Sequence, residues 1–204
     1  AFPTETVYGL GANALSDAAV ASIYAAKERP SFNPLIVHVR GLEDAHRYAV
    51  FAETALKLAR TFWPGPLTLV LPRREGCELS LLVSAGLDSV AIRVPAHPLA
   101  QAMLHAAALP VAAPSANRSG RISPTEAAHV RAELEGRVAL ILDGGPCQVG
   151  IESTVVDACG DTPRLLRPGS ITAPMLREWF ATSPEQIVNN HNPASPGMLE
   201  SHYA

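Results

Sequence analysis

The chain holds 204 residues, 48% hydrophobic and 17% charged, which is the mixture of one globular domain and excludes a disordered or fibrous chain. Sixteen Lys and Arg against nineteen Asp and Glu leave a net charge of −3, which excludes a protein that grips nucleic acid by net charge alone. The 14 glycines and 18 prolines are dispersed, so they predict fixed turns rather than a low-complexity segment.

The chain opens at Ala1-Phe2-Pro3, without Met, in what reads as the end of a strand, and a few preceding residues are expected. Ser16 and Asp17 start a helix in which Val20, Ile23 and Tyr24 share a face up to Lys27. Leu35–Val39 reads as a buried strand. Ala52–Phe62 is an amphipathic helix with Leu56, Ala59 and Phe62 on one side, stopped by Trp63-Pro64-Gly65-Pro66. Leu67–Leu71 and Val90–Val94 are strands, and Pro98–Ala108 is a helix with proline in its first turn. Val111–Ala113 is a short strand, and Ser123-Pro124-Thr125-Glu126 opens another helix with Ser123 as its N-cap. Val138–Leu142, Thr154–Asp157 and Arg164–Leu166 read as strands, and Pro174–Phe180 as a last helix. Strands separated by helices predict an α/β fold, a twisted mixed sheet flanked by helices. Residues 1–182 form the expected domain. Ser183–Ala204 carries three prolines and no apolar face, and reads as a linker or lid segment leading toward a further domain.

Cys77, Cys147 and Cys159 form no CxxC pair and no metal-ligand spacing, which suits a reducing cytosol and a cytoplasmic protein. No apolar run reaches the roughly 20 residues of a membrane span, and no signal peptide is visible. A GxxxxGK[ST] loop, a GxSxG elbow and an HExxH motif are all absent, and Gly9-Leu10-Gly11 lacks the third glycine of a dinucleotide fingerprint. What remains is a set of polar loops at strand and helix ends. Lys27 and Arg29 lie two apart beside Pro30, Asn33 and Pro34. They read either as cations compensating a helix dipole or as a cradle for a polyanion.

Seven blocks in order carry a resemblance. They are Phe2–Gly11, Lys27–Pro34, Phe62–Thr68, Val94–Pro98, Pro114–Asn117, Glu152–Val156 and Arg167–Gly169. Together, over about residues 1–172, they resemble the YrdC-type family of L-threonylcarbamoyladenylate-forming enzymes. Pro196-Gly197-Met198 and Ser201-His202-Tyr203-Ala204 resemble the linker of its two-domain form. The resemblance implies a deep concave groove and a reaction of L-threonine, bicarbonate or CO2, and ATP that yields threonylcarbamoyl-AMP and pyrophosphate for tRNA modification. It implies a threonine pocket of Thr6, His38, Arg93, Ala113 and Ser153, where Ala113 offers only backbone and methyl. It implies a nucleotide side of Lys27, Arg29, Asn33, Ser89, Ser115, Ser123, Arg167 and Tyr203, with Lys27 and Arg29 as the catalytic cations. Mg²⁺ is expected to come with ATP and not through protein ligands, and a downstream tRNA-modifying threonylcarbamoyl transferase is the expected partner. Two other readings stand beside it: the related carbamoyl-transfer domain of hydrogenase maturation, and a double-stranded RNA or tRNA-binding module. The charge balance and 5% aromatics speak for weak RNA affinity at most.

Overall fold

The structure, a computed structural model, describes residues 1–28 and 33–180. Seven strands, β1 (Ala12–Asn13), β2 (Ile36–His38), β3 (Leu67–Pro72), β4 (Ser89–Arg93), β5 (Val111–Ala112), β6 (Thr154–Asp157) and β7 (Arg164–Arg167), form one sheet. Its order is β1-β5-β2-β4-β3-β6-β7. β2 with β4 and β3 with β6 pair parallel, and the other neighbours pair antiparallel. The expected mixed sheet is what forms.

The helices are α1 (Asp17–Lys27), α2 (Leu42–His46), α3 (Glu53–Phe62), α4 (Pro98–Ala107) and α5 (Ala127–Leu134), with a 3₁₀ helix over Ala173–Trp179. α1 begins as its sequence dictates: Ser16 Oγ accepts from the Ala19 N–H at 3.3 Å, satisfying one of the donors that a helix start leaves open. It ends at Glu28, whose φ of 54° puts it in the left-handed region. On α3 the buried face is Ala55, Leu58 and Ala59, with Phe62 half-buried. Leu56, expected on that face, is only half-buried, so the stripe lies slightly rotated from the expected one.

Alternation along the strands divides the sheet into two chemistries. Val37, Leu69, Leu71, Val90, Ile92 and Val156 join the main core that α1 and α3 cover. Ile36, Val70, Ala91, Val155 and Leu166 form a separate small apolar cluster, the floor of the opposite face. At the carboxyl ends of β2 and β4 that second face turns polar, at His38 and Arg93, which are register partners.

Two expectations need correction. Ser123 does not cap α5; Glu126 does, without a side-chain bond. The reason is competition: the Pro124 and Thr125 carbonyls accept from the Tyr8 and Cys147 N–H groups at 2.8 Å each, so those residues close long-range contacts instead of opening the helix. Val138–Leu142 is not a strand of the sheet; it runs beside the chain start, with Leu142 N–H donating to the Ala1 carbonyl at 2.9 Å and the Ala1 amino group to the Leu140 carbonyl at 2.5 Å. The last helix forms where expected, over Ala173–Trp179, in 3₁₀ geometry. Short β1 and α2 had no recognisable pattern. Among the described residues no helix is long and apolar enough to cross a membrane.

Candidate active site

The polar end of the floor is closed by loops. Thr4–Gly9 comes down from one side, Ala113–Ser115 follows β5, and Glu152-Ser153 leads into β6. With Ile36, His38, Arg93 and Arg167 they line a concave space of about 460 Å³ that is open to solvent. All five residues expected to hold threonine line it: Thr6, His38, Arg93, Ala113 and Ser153. Ser115 and Arg167, expected on the nucleotide side, line it too.

Thr4 organises the first loop. Its hydroxyl donates to the Val7 carbonyl at 2.7 Å and accepts from the Thr6 and Val7 N–H groups at 3.2 Å each. The two threonine hydroxyls lie 2.8 Å apart, and either can be the donor between them. Thr6 Oγ1 then accepts from Arg93 Nη1 at 2.9 Å. Arg93 Nη2 donates to Glu5 Oε1 at 2.7 Å and Nε to the Gly65 carbonyl at 3.3 Å. Burial pulls the Arg93 guanidinium's pKa down, and the Glu5 carboxylate beside it works in the opposite direction. The pair is buried on both sides, so it is held by geometry rather than by solvent.

Arg167 is held in the same manner from the far side. Nε donates to the Ser153 carbonyl at 3.0 Å, Nη2 to Ser153 Oγ at 3.0 Å and Nη1 to Glu152 Oε2 at 2.6 Å. Ser153 Oγ also lies 2.8 Å from Thr68 Oγ1 on β3. The Arg167-Pro168-Gly169 turn can press this close because Gly169 lacks a Cβ: one placed there would lie 2.5 Å from the Thr154 nitrogen and 2.7 Å from the Glu152 carbonyl oxygen.

His38 is buried between Phe2, whose ring meets it edge-on at 5.8 Å, and the pocket. Desolvation first, then the nearby Arg93 charge, drive its pKa down to about 3. The imidazole is therefore neutral at physiological pH, a hydrogen-bonding group rather than a cation. The sign of the linkage follows. Between pH 6.5 and about 3 the unfolded chain takes up a proton at His38 that the native chain refuses, so this group withdraws stability as pH falls through that window and contributes no slope above it. Each pH unit there costs up to about 1.4 kcal/mol. Thermal melts from pH 7 to pH 4.5 are expected to fall more steeply for the wild type than for His38→Gln; parallel slopes would contradict the buried neutral imidazole.

The remaining expected residues lie off this lining. Lys27 is buried at the end of α1, and its Nζ donates to the Ser115 carbonyl at 2.6 Å and to the Asn117 carbonyl. Asn33 is buried, its carbonyl 3.2 Å from the Tyr24 hydroxyl. Ser123 donates to Glu152 Oε1 at 2.9 Å, so it joins the Arg167 side of the site through that carboxylate. Ser89 opens β4, at the end of the strand away from Arg93. Arg29 and Tyr203, with the 183–204 segment, lie outside the described residues.

Sequence reasoning missed Glu5, Glu152, Thr4 and Thr68 as site residues. The two glutamates carried a signal: each is the one acid in a loop otherwise of hydroxyl and aliphatic residues, next to an expected threonine contact.

The sequence model of the Sua5/YciO/YrdC family, described as telomere recombination, matches residues 1–169. The chain belongs to this family. It is 51% identical to the threonylcarbamoyl-AMP synthase of Bacillus subtilis over 210 residues, covering all of this chain and 60% of that protein. To the threonylcarbamoyl-AMP synthase of Pyrococcus abyssi it is 46% identical over 209 residues, covering all of this chain and 61% of that one. The chain thus spans about three-fifths of the length of these relatives. The crystal structure of P. abyssi Sua5 complexed with L-threonine superposes with a TM-score of 0.90 at 44% identity, covering 97% of this chain and 59% of that one. The fold expected from the family is the fold observed.

Proposed function

We propose that this chain makes threonylcarbamoyl-AMP from L-threonine, bicarbonate or CO2, and ATP, releasing pyrophosphate. One observation carries the reading: residues 6, 38, 93, 113 and 153, scattered over the sequence, line a single pocket that contains two buried arginines. The likeness to threonylcarbamoyl-AMP synthases supports the same activity, and the L-threonine in P. abyssi Sua5 supports the amino-acid substrate.

In this reading Arg93 takes the threonine carboxylate, with Thr6, His38 and Ser153 as polar neighbours and the Ala113 methyl as an apolar one. The threonine amine, once deprotonated, adds to CO2 to give a carbamate. A carbamate oxygen bonds to the α-phosphorus as the bond to the β-phosphate oxygen breaks, and pyrophosphate leaves. The protein's work is to hold two anionic reactants in line, worth several kcal/mol as effective molarity. Arg167, Ser115, Ser123, Asn33, Ser89 and the cations Lys27 and Arg29 make up the nucleotide side, and Tyr203 would reach it from the tail. A magnesium ion enters as part of the ATP it accompanies. Among the described residues no three His, Cys, Asp or Glu side chains converge as ligands, and the pocket carboxylates Glu5 and Glu152 are engaged by arginines. The adenylate would pass to a transferase acting on tRNA in the cytoplasm, with at most weak RNA contact by this chain.

Pyrophosphate release is the test. It is expected to require ATP, bicarbonate and L-threonine together, and to fall at least about tenfold when valine replaces threonine, because a site that hydrogen-bonds a hydroxyl rejects the isostere without it. Equal turnover with valine would contradict the polar pocket.

A further inference from the structure

Two carboxylates in the site, the buried Glu5 and the half-buried Glu152, have no part in the reaction outlined above. We propose that they are positioning residues with separate duties: Glu5 aims Arg93 at the threonine carboxylate, and Glu152 aims Arg167 at the nucleotide phosphates. The inference rests on the substrate assignment proposed above.

Two guanidinium groups in one pocket wall disfavour each other, and neither can be stable there without a counter-charge. Each has its own. What makes these carboxylates more than counter-ions is that each is tied down at its other oxygen. Glu5 Oε2 accepts from the Ala96 backbone N–H at 3.1 Å, so the carboxylate is fixed to the chain beyond β4 and does not follow the guanidinium. Arg93 then spends one N–H each on Glu5, Thr6 and the Gly65 carbonyl. Of its five N–H groups, one on each terminal nitrogen remains for a ligand, and a carboxylate can accept from two guanidinium nitrogens at once. Glu152 is tied down by the Ser123 hydroxyl at 2.9 Å, while Ser153 fixes Arg167 through both its carbonyl and its hydroxyl. One unit is built on residues 4–6, 65 and 96, the other on 123 and 152–153. A fault in one should therefore be felt by one substrate.

The experiment is a crossed titration of Glu5→Gln and Glu152→Gln by calorimetry, with L-threonine and, separately, with the magnesium complex of an α,β-methylene ATP analogue. Glutamine keeps the shape and one acceptor and removes the charge. The expected result is that Glu5→Gln weakens threonine at least about tenfold and leaves the analogue within about threefold, while Glu152→Gln does the reverse. Should a glutamine variant fail to fold, Glu5→Asp, which keeps the charge on a shorter arm, and Ser123→Ala, which unties Glu152, are expected to show the same one-sided losses, smaller in size. Equal weakening of both ligands, no weakening, or tighter binding to the uncompensated arginine would each overturn the proposal. A wild-type chain that bound neither ligand would overturn the substrate assignment and the proposal with it; one that bound both without the crossed pattern would overturn the positioning roles alone.

Discussion

Arg93→Lys is expected to lower kcat/KM for threonine by about 10²–10³-fold while leaving the protein folded. Lysine keeps the charge opposite Glu5, so the buried pair is not broken outright. It cannot reproduce the fork, however: one ammonium cannot reach Glu5, Thr6 and the Gly65 carbonyl and still present two parallel donors to a carboxylate. Arg93→Ala goes further and removes the counter-charge from a carboxylate whose side chain is 7% exposed. Leaving a buried ion unpaired costs about 3–5 kcal/mol, so the alanine variant mixes loss of stability with loss of activity. Steady-state kinetics at saturating ATP, beside a thermal melt, separate the two. A lysine variant with wild-type kcat/KM would remove Arg93 from the substrate.

Lys27→Met is expected to lower both stability and activity. The cause is burial. The side chain is 1% exposed, and its ammonium bonds the Ser115 and Asn117 carbonyls that shape the loop after β5. Methionine fills the space but donates nothing. A buried and a half-buried carbonyl losing their donor cost about 1–3 kcal/mol each at most, or on the order of 10 °C for a chain of this length. Ser115 lies on the pocket lining, so its displacement and the lost charge are expected to reduce turnover by about 10²-fold at temperatures where the variant is folded. An unchanged melting temperature would contradict the buried bonds, and unchanged turnover would contradict the role of Lys27 in the site.

The elements legible from sequence were those with a local cause. Ser16 before the Val20, Ile23, Tyr24 face fixed α1, and the apolar runs at 67–71 and 90–94 gave β3 and β4 almost to the residue. Val138–Leu142 has the composition of a strand, yet it lies against the chain start and not in the sheet, a choice made by packing that no window of five residues contains. Ser123-Pro124 has the chemistry of a helix start, but Tyr8 and Cys147 claim the neighbouring carbonyls from over a hundred and from about twenty residues away. The pocket shows the same division. Family motifs named the five residues expected to hold threonine, and the fold brings all of them to one pocket. They did not name Glu5 or Glu152, because a carboxylate behind an arginine is visible only once positions 5 and 93, or 152 and 167, are side by side. Nor did they reveal that the Lys27 ammonium is buried, since its partners lie 88 and 90 residues further along.

The most direct measurement is mass spectrometry of the product formed from ATP, L-threonine and ¹³C-bicarbonate by this chain. The account predicts an adenylate that carries the threonine and one ¹³C atom, appears with pyrophosphate, and is absent when any of the three reactants is withheld. Pyrophosphate without a labelled adenylate, or an adenylate formed without threonine, would contradict it.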